Sequence, residues 1–275
     1  MRKNSILPMA LGIAALSLAS QGAFASCADI SSAYAGKEAA VKAVVGAADN
    51  GGYGLPMWVT AVDETGKVCG VINTSGKAGS ANIGNSSWLG SRVISAQKAN
   101  TANAFSLDIF SIGTANLYGL TLPGGSLFGL QASNPVDGST AYLGAPETYG
   151  TSSDPLINKR IGGVNVFGGG LALYKLDGSN KPLKVGAIGV SGDTSCTDHA
   201  VAWKIRAVLG LDNVPGGFVS GYSTAPGFAI KGDEIIIKLS GTSASVQNSY
   251  KQVSCAHNTI KDPSAGAATG VIIEQ

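Results

Sequence analysis

The chain has 275 residues, of which 44% are apolar, 13% are charged and 39 are glycine; that apolar content excludes a disordered chain, and the length suits one domain or two small ones. Its formal net charge is +2, and setting aside the first 25 residues removes Arg2 and Lys3 and no acid, leaving 17 basic against 17 acidic residues. This balance excludes a polyanion-binding surface built on bulk charge, and no basic stripe with interleaved aromatics of the nucleic-acid-binding kind is present.

Arg2 and Lys3, an apolar run over residues 6–19 and the small-x-small step Ala23-Phe24-Ala25 form the three regions of an export signal spanning residues 1–25. The run is shorter than the roughly 20 residues a permanent membrane anchor needs, and no later segment supplies one. Phe24-Ala25-Ser26-Cys27 lacks the branched aliphatic residue that favours lipid attachment at the cysteine. The expectation is a soluble periplasmic or secreted protein.

Ser31 or Ser32 caps a predicted helix running to about Ala48, with Tyr34, Val41, Val44 and Val45 at helical spacing. Asn50-Gly51-Gly52 stops it. A hairpin follows, with residues 57–63 outward, Glu64-Thr65-Gly66 as the turn and residues 67–73 returning. After a Ser/Gly/Asn loop over residues 74–86, a helix is expected over residues 87–105, with small Ala96, Ala99 and Ala102 allowing close approach. Residues 106–160 read as loops with short pieces of structure, long enough to suggest a functional connection. A second hairpin pairs residues 164–167 and 171–176 with residues 183–190, and Gly168-Gly169-Gly170 marks a bulge or a close backbone approach. A third long helix covers residues 196–209, ended by Gly210, with Ser195-x-x-Asp198 as a capping pattern. Residues 234–239 read as a strand, and residues 271–273 as a short edge strand.

This order predicts an α+β fold: an antiparallel sheet of about five strands flanked by helices. Residues 26–211 form the domain, and residues 212–275 a C-terminal extension packed on it. The mature chain keeps four cysteines. An even number in an exported chain implies two disulfides. Three pairings are possible; chain economy favours Cys27–Cys69 and Cys196–Cys255, although the connectivity does not follow from the sequence.

Three constellations offer chemistry. In the first, strand, glycine turn and helix start at residues 186–195 collect backbone N–H groups at Gly192, Asp193, Thr194 and Ser195, an arrangement that takes carboxylates or phosphates. The alternative is an ordinary cap, with Asp193 or Ser195 filling those amides. In the second, His199 and His257 meet if Cys196 and Cys255 are bonded, and two imidazoles suit a metal or a haem iron; otherwise each bonds backbone or water. In the third, Arg92, Lys98 and Arg160 offer cations to a carboxylated ligand, or simply a solvated face. The sequence has no GxSxG nucleophile motif, and no carboxylate pair stands out.

Met57-Trp58-Val59-Thr60-Ala61-Val62-Asp63-Glu64-Thr65-Gly66, Ser91-Arg92-Val93-Ile94-Ser95-Ala96-Gln97-Lys98-Ala99, Pro123-Gly124-Gly125, Gly162-Gly163-Val164 and Val185-Gly186-Ala187-Ile188-Gly189-Val190-Ser191-Gly192 together resemble the GlcG/HbpS haem-binding family over roughly residues 30–211. The resemblance implies helices on an antiparallel sheet, assembly into homo-oligomers, and binding of haem or a related tetrapyrrole in some members. It supplies no axial ligand here. The expected pocket lies between the sheet and the glycine-rich loops. Amides of residues 192–195, with Arg92 or Lys98, would take the carboxylates, and Trp58 or Phe167 would form the apolar wall. An enzyme of haem or small-molecule breakdown, and a ligand-free oligomer, are the alternatives.

Overall fold

The computed structural model of the chain describes residues 25–47, 50–74, 88–217, 232–236, 255 and 271–272. The export signal expected at residues 1–25 lies outside them except for Ala25, as do His257 and residues 237–239 and 273 of the expected C-terminal strands.

Two short helices, α1 (Cys27–Tyr34) and α2 (Glu38–Val45), stand where one was expected. Gly36 breaks the run by adopting φ +73°, a conformation open to glycine at little cost. The cap is Ser26, whose side chain accepts from the helix start while Asp29 answers it in a capping box. The hairpin forms as β1 (Trp58–Asp63) and β2 (Val68–Asn73), followed by α3 (Leu89–Phe105). Short helical turns α4 (Tyr118–Thr121), α5 (Leu130–Ser133) and α6 (Gly138–Ala141) punctuate the long connection. The second hairpin is β3 (Gly170–Leu176) with β4 (Pro182–Ser191), leading into α7 (Ser195–Leu209). Residues 164–167 carry no strand. The cap of α7 is Thr194, accepting from the Thr197 N–H, rather than the expected Ser195. Gly210 closes α7 at φ +70°.

Among the described residues the four long strands form one antiparallel sheet in the order β2-β1-β4-β3, the helix-flanked α+β arrangement expected, with four strands for the expected about five. The C-terminal strands β5 (Ile235–Ile236) and β6 (Val271–Ile272) instead pair parallel with each other. Strand alternation divides the core into two layers. Val59, Leu171, Leu173, Ile188 and Val190 pack with Ile30, Val41, Val201, Ile205 and Leu209 of α1, α2 and α7. Trp58, Val62, Val71 and Ala187 pack with Val93, Ala96, Ala99 and Ala102 of α3, and with Tyr149, Leu156 and Ile161 of the connection.

The alanine stripe of α3 meets a glycine on the sheet. A Cβ at Gly189 would strike the Ser95 carbonyl, and one at Gly170 would strike the Lys98 carbonyl and Thr114. A Cβ at Gly168 would strike the Ser195 carbonyl and one at Gly169 the Val190 carbonyl, so the triple glycine is a close approach.

Both disulfides form, Cys27–Cys69 tying α1 to β2 and Cys196–Cys255 tying the tail to α7. Among the described residues no helix is long and apolar enough to cross a membrane.

Candidate functional site

Several elements end together at one edge of the sheet. Trp58 is in register with both Asn73 and Ser191, so β1 starts where β2 and β4 finish. β4 then runs through Gly192, held at φ +154°, into the start of α7. Trp88, at φ +38°, begins α3 nearby. Between them lies a cleft of about 630 Å³, with Tyr53 and Leu55 on one side, Trp88 and Ser91 on another, and Gly192, Asp193 and Thr194 beneath. Tyr53 and Trp88 are 54% and 67% exposed, so two aromatic side chains present solvent-accessible surface here.

The predicted turn therefore borders a cleft, but its amides at Asp193 and Thr194 are engaged. The Asp193 carboxylate accepts from the N–H groups of Tyr53 (2.9 Å), Leu55 (3.2 Å) and Thr194 (2.7 Å). The Asp193 N–H donates to Asp198 Oδ1 at 2.9 Å, and the Cys196 N–H to the sulfur of Cys255 at 3.0 Å. Of the amides at residues 192–195 expected to take a ligand's carboxylates, those of Asp193 and Thr194 are instead held by the chain's own carboxylates. Ser195 opens α7 and does not line the cleft.

The same bonds fasten residues 52–55 across the start of α7, where a Cβ at Gly52 would strike Thr197 and Asp193. This strap separates the cleft from a second cavity of about 590 Å³, bordered by Lys42, Gly51, Gly52, Gly54, Thr74 and Thr197. Leu55 lines both cavities. A third, apolar space of about 90 Å³ lies between α1, α2 and the sheet, against Tyr34, Val41, Val59 and Ile72.

The expected cations are structural. Arg92 is fully buried; its guanidinium is bound to both carboxylate oxygens of Asp154, donates to the Ala141 carbonyl, and lies 3.6 Å from the centre of the Tyr149 ring. Lys98 is buried too, its ammonium donating to Asp198 Oδ2 at 2.8 Å and the Val190 carbonyl at 2.9 Å. Burial lowers Lys98 and lifts Asp198 to about 6. A long cation on a helix is ordinarily solvated; the deep connection and α7 enclose these two, so neither faces a ligand. Arg160 is spent on Thr65 at the opposite hairpin turn. Trp58, expected as a wall, is wholly inside the core, and half-exposed Phe167 lines none of the three cavities.

His199 is wholly buried on α7, its ring centre 6.2 Å from that of Trp203, and among the described residues neither ring nitrogen has a hydrogen-bond partner. Burial pushes its pKa down to about 3, and nearby Arg206 and Lys98 add to the effect. It borders none of the three cavities, and His257, its expected partner on a metal, lies outside the described residues. Cys27, Asp63 and Cys69 have metal-ligand spacing, but the two sulfurs are bonded to each other.

The aromatic pair at the cleft went unread in the sequence. Tyr53 is the lone aromatic among Gly51, Gly52 and Gly54, and Trp88 ends a polar loop at a helix start; each position gives a large side chain little to pack against.

A family profile described as "Haem degrading protein HbpS-like" matches residues 33–206. Solved structures similar to the chain include the PduOC complex with heme, at 21% identity and a TM-score of 0.38, covering 58% of this chain and 82% of that one. Another is protein ORFY of Klebsiella pneumoniae, at 18% identity and a TM-score of 0.40, covering 75% and 98%. No curated protein matches the sequence.

Proposed function

The chain belongs to the HbpS-like family, and from that premise we propose that it is an exported protein that binds haem or a related flat, carboxylated tetrapyrrole in the cleft between Trp88, Tyr53 and Leu55. The observation that carries this reading is the pair of exposed aromatic side chains at a cleft of about 630 Å³, within the size range of cofactor sites. Aromatic side chains lining a cleft suit a flat ring. Among residue types that commonly hold haem iron, Tyr53 is the one that lines the cleft among the described residues. When bound, haem would supply its iron chemistry; the chain's part is to clasp the ring and keep it in an apolar setting. Export is supported by the three-region start of the sequence and by two disulfides, which persist in oxidising compartments.

Hemin titrated into the mature protein is expected to give a saturable Soret shift at one equivalent per chain, weakened by Trp88→Ala. A linear, unsaturated absorbance rise would reject the reading. The family's description favours a second reading, turnover of haem in this cleft. Progressive loss of the Soret band over many equivalents, with reductant and oxygen supplied, would select it; ligand recovered unchanged selects binding.

A further inference from the structure

We infer that the two cavities flanking residues 52–55 are halves of one amphipathic site, and that Lys42 is the residue that takes the ligand's carboxylate. The inference rests on the haem reading and adds the part that the amides and buried cations leave unfilled.

A carboxylated ring needs an apolar face and a place for its negative charge, since an unpaired charge out of water is costly. The cleft beside Trp88 supplies the first. The second has few sources. Arg92, Lys98 and Arg206 are buried in pairs with Asp154, Asp198 and Asp233. Lys37 donates to the Leu209 carbonyl, Lys175 to Asp29, and Lys184 to the carbonyls of Asn103 and Ser106. The Asp193 carboxylate lies under the strap and would repel an anion in the cleft itself.

Across the strap the chemistry changes sign. Lys42 of α2 borders the second cavity, together with Thr74, Thr197 and the glycines of the strap. Among the described residues its ammonium is bound to Glu38, at 2.7 Å in a surface i,i+4 pair that is 25% and 60% exposed on its two side chains. Such a pair contributes little and exchanges readily for a better acceptor. The halves are adjacent at two points. Leu55 lines both, and Thr194 beneath one is hydrogen-bonded at 3.0 Å to Thr197 of the other. Among the described residues, Lys42 is the one cation bordering either half. A ring against Trp88 and Tyr53 thus extends its acidic arm over Leu55 towards Lys42.

The test compares hemin with hemin dimethyl ester, which keeps the ring and loses the charges. Lys42→Gln, a surface change that spares the fold, is expected to weaken hemin about tenfold, the size of one lost charge-assisted bond, and to leave the ester unchanged. Lys42→Glu is expected to weaken hemin further and again spare the ester. Equal hemin affinity in wild type and both variants, or equal loss of hemin and ester, overturns the inference. Failure of the wild type to bind either compound rejects the haem reading itself, and this inference falls with it.

Discussion

At the scale of single residues, the most informative side chains are buried and charged or ionisable. Arg92 and Asp154 are both fully enclosed, and removing one leaves the other's charge without compensation. Arg92→Met is therefore expected to cost about 3–5 kcal/mol in chemical denaturation. Adding Asp154→Leu is expected to recover most of that; a double variant no better than the single one would contradict the pairing. His199 makes a pH prediction. Its folded pKa is about 3 against the ordinary 6.5, so between these values the unfolded chain takes a proton that the folded chain refuses. Stability is therefore lost as pH falls from 6.5 to about 3, by roughly 1.4 kcal/mol per pH unit at most. Asp198, raised to about 6, runs the other way between its ordinary 3.8 and 6, binding its proton more tightly when folded. The stability difference between wild type and His199→Leu isolates the histidine contribution. Wild type should lose stability relative to the variant as pH falls from 6.5 to about 3, and a pH-independent difference would count against a buried neutral imidazole. None of these environments is legible from spacing. Arg92 and Lys98 sit on a helix much as solvated cations do, and their partners, Asp154 and Asp198, are 62 and 100 residues away.

At the scale of elements, the sequence was most readable where local pattern and local structure coincide. Both hairpins and the two long helices α3 and α7 follow from period and turn chemistry, because their partners are neighbours in the chain. The single helix expected over residues 31–48 became α1 and α2 because Gly36 turns the chain at φ +73°. The site was half legible. The glycine turn at residues 192–194 does floor a cleft, whereas Asp193's capture of the Tyr53 and Leu55 N–H groups joins residues about 140 apart and leaves no periodic trace. The packing of α3 on β4 depends on Gly189. Gly189→Ala is expected to destabilise by about 1–3 kcal/mol, since the methyl must displace helix backbone at Ser95. Gly70→Ala, on β2 with open space around it, is the control and should cost far less. Similar losses at both positions would refute the close approach.

At the scale of the whole molecule, a four-stranded sheet with α1, α2 and α7 on one face and α3 on the other holds the ends of five segments at one edge. The disulfides reinforce this frame from both chain ends. Opening Cys196–Cys255 by substitution is expected to lower stability by about 2–4 kcal/mol, and the thermal midpoint with it; an unchanged midpoint would mean the tail contributes nothing to α7. The function proposed for the frame depends on where a ligand sits. Hydrogen exchange of the mature protein, measured with and without hemin, addresses that directly. The account predicts slowed exchange confined to residues 42–47, 50–56, 74, 88–92 and 190–197, with the rest of the sheet unchanged. Protection concentrated elsewhere, or none at saturating hemin, would contradict it.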